Sequence, residues 1–145
     1  MVAYSFRKRF VEPIRTGSKR QTIRADRKRH ARPGELMQLY CGMRTRGCFL
    51  IDETICDRVQ SVRLSFDGNV VAISSLRFGS PMQEITGAKA LDLFATQDGF
   101  GDWNDMRAFW REEHGDISEW RAVLLTWNPL SQAHAPQAVD ADRSR

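Results

Sequence analysis

The chain has no apolar run approaching the roughly eighteen residues of a membrane-spanning helix, and no signal-like apolar stretch follows its basic start. Neither a membrane span nor a secretory leader is therefore expected. Cysteine is scarce: Cys41, Cys48 and Cys56 make an odd set without a CxxC pair. That spacing argues against a secreted disulfide framework and points to a reducing cytoplasm. The cysteines sit beside apolar residues and read as small core fillers. His30, His114 and His134 have no metal-ligand spacing with one another or with the cysteines. A Walker glycine loop and a dinucleotide fingerprint are also missing, so no metal or cofactor is expected.

What is present is positive charge, unevenly placed. The 145 residues carry a formal net charge of +4, but residues 1–32 hold eleven Lys or Arg against only Glu12 and Asp26. The rest of the chain is net acidic. Concentrated charge of this kind attracts phosphates, and Arg9, Arg27 and Arg29 are candidates for that contact. The alternative is that these cations only keep a small protein soluble. RNA or a modified nucleoside is the expected partner, with DNA as an alternative and no membrane.

The pattern along the chain predicts one α+β domain over residues 1–129. Phe10, Val11 and Ile14 have the spacing of a short helical turn, with Pro13 in its first turn and Gly17 at its end. Residues 17–24 then lead into an extended stretch in which Thr22 and Arg24 share one face and Ile23 points to the core. After Pro33-Gly34, strands are expected from Leu36 to Cys41, Cys48 to Ile51 and Asp57 to Phe66. A hairpin at Asp67-Gly68-Asn69 returns through Val70, Val71, Ile73 and Leu76. Read alone, this half is a mainly antiparallel meander. Helices are expected from Ala88 to Phe94 and from Asp102 or Asn104 to His114, followed by a buried strand from Trp120 to Trp127. The expected architecture is a small curved, mostly antiparallel, barrel-like sheet with two or three short helices over one opening. A cleft would lie between the Lys19–Arg24 segment and the helices. Residues 130–145 lack periodicity and bulky side chains, and a disordered tail is expected there.

Several residues in this plan carry chemistry. Arg24 offers a planar fork of donors suited to a phosphate or a base edge, with Arg20 close to it in sequence. Thr22 has a hydroxyl that can attack once a base takes its proton. Lys19, near Arg20 and Arg24, is a candidate for that base, because like charge favours the neutral amine. Proton return would need a carboxylate, and Glu84, Asp92, Asp98 and Asp102 are the candidates. Trp110 and Trp127 read as core, whereas Trp103 could line the cleft and stack on a base. The plain structural alternative makes Lys19 and Arg20 turn residues and Thr22 a strand former.

The segment from Phe10 through Gly17-Ser18-Lys19-Arg20-Gln21-Thr22-Ile23-Arg24, then Pro33-Gly34-Glu35-Leu36, resembles the ASCH domain family, particularly its small phage and prophage-encoded members. Gln97-Asp98-Gly99-Phe100, the helix with Phe109-Trp110 and the strand near Trp127 extend the likeness over about residues 3–129. The resemblance implies a PUA-like fold and RNA binding. It implies, for some small members, an amidohydrolase that removes the acyl group of N4-acetylcytidine, and for a few a ribonuclease. Under it, Lys19 and Thr22 match a lysine and a threonine of the amidohydrolase site, Arg24 matches a pocket arginine, and Asp98 stands where the family has glutamate. Aspartate is a methylene shorter, so its carboxylate would fall about 1 Å short unless the backbone moves in. Nucleic-acid binding by the basic cleft is the leading expectation, amidohydrolase or ribonuclease activity the alternative, and a phage interaction or structural protein the third.

Overall fold

A computed structural model of the chain describes residues 1–74, 82–116 and 118–129. Alternation of buried and half-exposed positions builds β1 (Val2–Phe6), which buries Val2, Tyr4 and Phe6. A single 3₁₀ turn leads into α1 (Val11–Thr16), which buries Val11 and Ile14 and stops at Gly17, whose φ of +87° is left-handed. Then come β2 (Gln21–Arg24), β3 (Leu36–Cys41), β4 (Phe49–Ser65), β5 (Val70–Ser74) and β6 (Gln83–Thr86). Two helices follow, α2 (Ala88–Gln97) and α3 (Trp103–His114), and the last described element is β7 (Glu119–Pro129). Asp102 caps α3 by accepting from the Asp105 N–H.

The fold is α+β, with one mixed seven-stranded sheet that does not close. β4 is the spine. Its first half pairs β3, its second half pairs β5, and β7 runs antiparallel beside both. Register shifts between Cys56 and Arg58, and between Leu39 and Tyr40 of β3, allow so long a strand to bend. The buried run Val123–Leu125 of β7 lies in the core with Val62, Leu64 and Trp127.

Two expectations need correction. The separate strands over 48–51 and 57–66 are one strand of 17 residues. Polar residues at Asp52, Glu53 and Asp57 break the apolar pattern, but Asp52 and Glu53 stay paired with β3, and the ladder with β7 resumes at Arg58 past the bulged Asp57. The first half is not a simple meander either, because β1 pairs β3 in parallel and β2 skips its neighbours to pair β7. Finally, β1 and β6 are strands that the pattern did not signal as such. Leu76 and the proposed tail, residues 130–145, lie outside the described residues. No helix among the described residues is long and apolar enough to cross a membrane.

This topology leaves β2 and β1 as opposite edges of the path β2-β7-β4-β3-β1. Curvature brings the two edges face to face. The Arg24 guanidinium reaches across, donating from Nη2 to the Ser5 carbonyl at 2.7 Å.

Candidate functional site

Lys19 lies just after the Gly17 stop of α1, so its side chain runs inward rather than along a helix surface. It is 2 % exposed. Its Nζ donates to the Gln21 carbonyl at 2.8 Å and to the Asp98 carbonyl at 2.5 Å, and stands 3.7 Å from Asp98 Oδ1. The ring of Phe10 lies 4.6 Å from the charge, a cation–π distance. Asp98 is the residue that ends α2, and Gly99 follows with φ +95°. That left-handed step brings the chain against the Lys19 side chain.

A Cβ at position 99 would fall 2.8 Å from Lys19 Cδ and 2.9 Å from Phe10 Cδ1. Gly99→Ala is therefore expected to cost about 3 kcal/mol, from backbone strain plus overpacking. Urea denaturation compared with an exposed glycine control, Gly47→Ala, would measure it.

Burial acts on both partners. It pushes the Lys19 ammonium down to about 8, with Asp98 pulling back and Arg24 adding to the decrease. It pushes the Asp98 carboxyl up to about 6, opposed by Lys19, the Gln21 carboxamide and Arg24. Asp98 Oδ1 and Gln21 Nε2 are both buried without a well-formed hydrogen bond. An acid and a base whose values converge on neutrality, with an unsatisfied oxygen between them, can exchange protons with a third group.

A candidate for that third group, Thr22, lines the same cavity as Lys19 and Asp98. Thr22 is buried, and its Oγ1 accepts from Arg24 Nε at 3.0 Å. Arg24 lies 4.7 Å from the Phe6 ring, and desolvation lowers it to about 10. Lys19, Thr22, Arg24 and Asp98 all line one cavity of about 280 Å³. Six aromatic rings line it as well: Phe6, Phe10, Phe100, Phe109, Trp110 and Trp120. Phe10, Phe100 and Phe109 pack with centroids 5.2–5.5 Å apart, and Trp110 meets Trp120 edge-on at 5.5 Å.

Comparison with known proteins found no matching family model, curated protein or solved structure. The site is thus described by its own geometry.

The remaining expected site residues divide. Arg9 does not line the cavity; it lies 5.0 Å from the Phe100 centroid and pairs with Asp105 at 2.6 Å. Arg20 is not at the cavity; its Nε bonds the Gly17 carbonyl and its main chain ties Gln97 to Trp127. Arg27 covers the Tyr4 ring at 4.7 Å and bonds the Arg29 carbonyl, and Arg29 pairs with Glu35. Trp103 corrects its expected role as a cleft residue. It is 5 % exposed, packs at a tilt on Phe66 with centroids 4.9 Å apart, donates Nε1 to Asn69 and does not line the cavity of Lys19. Trp110 and Trp127 are buried, as their periodicity implied. Of the four candidate carboxylates, Asp98 alone lines the cavity. Asp102 caps α3, Asp92 accepts from the Trp103 N–H, and Glu84 lies exposed on β6.

Sequence reasoning missed Arg7, Glu113 and His114, which also line the cavity. Glu113 and His114 follow Trp110 by three and four residues and so share its helix face, a signal that was legible. Arg7 forms an ion pair with Glu113, and His114 lies against Trp120 with centroids 4.5 Å apart.

Proposed function

We propose that this chain is a small hydrolase that removes an acyl group from the amine of a pyrimidine nucleoside. The single observation behind this reading is the buried Lys19–Asp98 pair, held 3.7 Å apart at the wall of an aromatic cavity that also contains Thr22 and Arg24. A cavity of about 280 Å³ suits one ring and a short acyl group better than a stretch of polynucleotide.

Between pH values of about 6 and 8 the pair holds one proton beyond the fully deprotonated state. In the reactive arrangement that proton is on Asp98 and Lys19 is the neutral amine. The two carbonyls around Nζ then occupy its two N–H donors and leave its lone pair free. Arg24 Nε engages a lone pair of Thr22 Oγ1, which leaves the hydroxyl proton available. Lys19 takes that proton as Oγ1 attacks the acyl carbonyl, and unused Arg24 donors stabilise the oxyanion. The C–N bond breaks as Asp98 protonates the leaving nitrogen, giving a threonyl ester. Water then attacks the ester, Asp98 takes the water proton, and Lys19 returns its proton to Thr22.

The test is hydrolysis of N4-acetylcytidine by purified protein, followed by release of cytidine. The rate should be bell-shaped in pH, with limbs near 6 and 8: below the first Lys19 cannot accept a proton, and above the second Asp98 cannot donate one. No turnover of acylated nucleosides would end this reading.

RNA binding is the second reading, and one observation favours it. Arg15, Arg44 and Arg46 are exposed, and no ion pair is formed by them among the described residues. Filter binding to short RNAs that tightens as salt falls would support it.

A further inference from the structure

We infer that the main chain of Ile23, at the open edge of β2, reads the base of the ligand by a paired donor and acceptor. This rests on the nucleoside reading above and names the group that gives it specificity.

The direction of each backbone group follows from the ladders. The Trp127 N–H bonds the Arg20 carbonyl directly opposite it, one position before the β2–β7 ladder, and this bond sets the phase of the ladder. Alternation then turns Thr22 and Arg24 toward β7, and Gln21 and Ile23 toward the open edge. The Lys19 Nζ bond to the Gln21 carbonyl agrees with this, since it arrives from the open side. On β1 the Gly42 N–H bonds the Phe6 carbonyl, so Tyr4 and Phe6 face β3 while Ser5 faces outward. The Arg24 bond to the Ser5 carbonyl agrees in turn.

Two open edges therefore confront each other across the cavity, and both Ser5 and Ile23 line it. At one end Lys19 occupies the Gln21 carbonyl; at the other Arg24 spans the gap. Ile23 is the open-edge residue of β2 left between them. Among the described residues its N–H and C=O have no strand partner and take no part in a turn or loop bond. Ile23 is only 9 % exposed, and backbone polar groups left unmatched at a buried position are costly.

In an extended residue the N–H and C=O lie side by side, which is how one strand residue exchanges both bonds with another. The complement is a flat ring edge with an acceptor next to a donor. Cytosine presents this as N3 beside the N4–H, and an N4-acylated cytosine keeps both. The aromatic walls supply the faces for the ring, and the strand edge fixes its rotation.

Calorimetric titration of the wild-type protein with cytidine, 3-deazacytidine and N4,N4-dimethylcytidine tests this without altering the fold. The first analogue lacks the N3 acceptor and the second the N4–H donor. Each is expected to bind at least about tenfold more weakly than cytidine, the effect of one buried unmatched hydrogen bond. Binding of both analogues within about threefold of cytidine would overturn the inference, and it would do so even if N4-acetylcytidine is hydrolysed, leaving the hydrolase reading intact. The expected ranking without any acyl hydrolysis would uphold the edge and end the hydrolase reading. Absence of binding by every nucleoside would overturn both.

Discussion

Lys19→Met is expected to lower the rate of acyl transfer by about a thousandfold or more while leaving cytidine binding within about threefold. Methionine keeps the length and apolar stem of lysine, so Phe10 and Gly99 retain a neighbour of similar shape. The base is gone, however, and Thr22 keeps its proton. A loss of this size in kcat corresponds to about 4 kcal/mol of transition-state stabilisation. The same variant leaves the Gln21 and Asp98 carbonyls without the Lys19 donors they now have. It should therefore also lose about 2–4 kcal/mol of stability, measurable by urea denaturation. Thr22→Val provides the control: it should lose turnover with a smaller effect on folding. If Lys19→Met turns over at the wild-type rate, Lys19 is not the base.

The second expected result concerns folding and pH. Asp98 holds its proton more tightly in the folded chain than in the unfolded one, with its value raised from 3.8 to about 6. The folded state thus binds the extra proton in that window, and stability falls as pH rises from about 4 to 6. Lys19 is lowered from 10.5 to about 8, so the unfolded state binds the extra proton above 8. Stability contributed by this group rises again as pH goes from about 8 to 10. The pair consequently opposes folding most strongly between about 6 and 8, the window in which the proposed chemistry operates. In Lys19→Met/Asp98→Asn both limbs should vanish. The stability difference between this double variant and wild type should shift in its favour between pH 6 and 8, relative to pH 4, by on the order of 3 kcal/mol. Urea midpoints across pH 4–10 would show it. A difference independent of pH would mean that neither group is held away from its ordinary value.

A site that is least favourable to stability where it would work is characteristic of groups kept for chemistry. The plain structural alternative makes Lys19 a turn residue; its ammonium is buried and bonded to the Gln21 and Asp98 carbonyls.

Local pattern was enough to place most elements. The Gly17 stop, the Asp102 cap, the Trp110 face of α3 and the apolar run in β7 are each written in three or four neighbouring residues. The choice of Lys19, Thr22 and Arg24 was legible too, because one short strand puts Thr22 and Arg24 on a common face. Which carboxylate joins them was not. Asp98 is 79 residues from Lys19 along the chain, and only the packing of the α2 end against β2 separates it from Asp92 and Asp102. The sheet edges were equally hidden, since alternation says which way a side chain points but not which strand lies beside it.

Charge gives the sharpest contrast. Composition alone established an N-terminal quarter rich in cations and a remainder rich in acids. Folding brings the two together, with Arg7 on Glu113, Arg9 on Asp105, Arg29 on Glu35 and Lys19 beside Asp98. Position along the chain thus set the sign and the supply of charge. Position in space decided how much of it remains for a ligand, because electrostatic energy depends on distance through the molecule and not on separation in sequence.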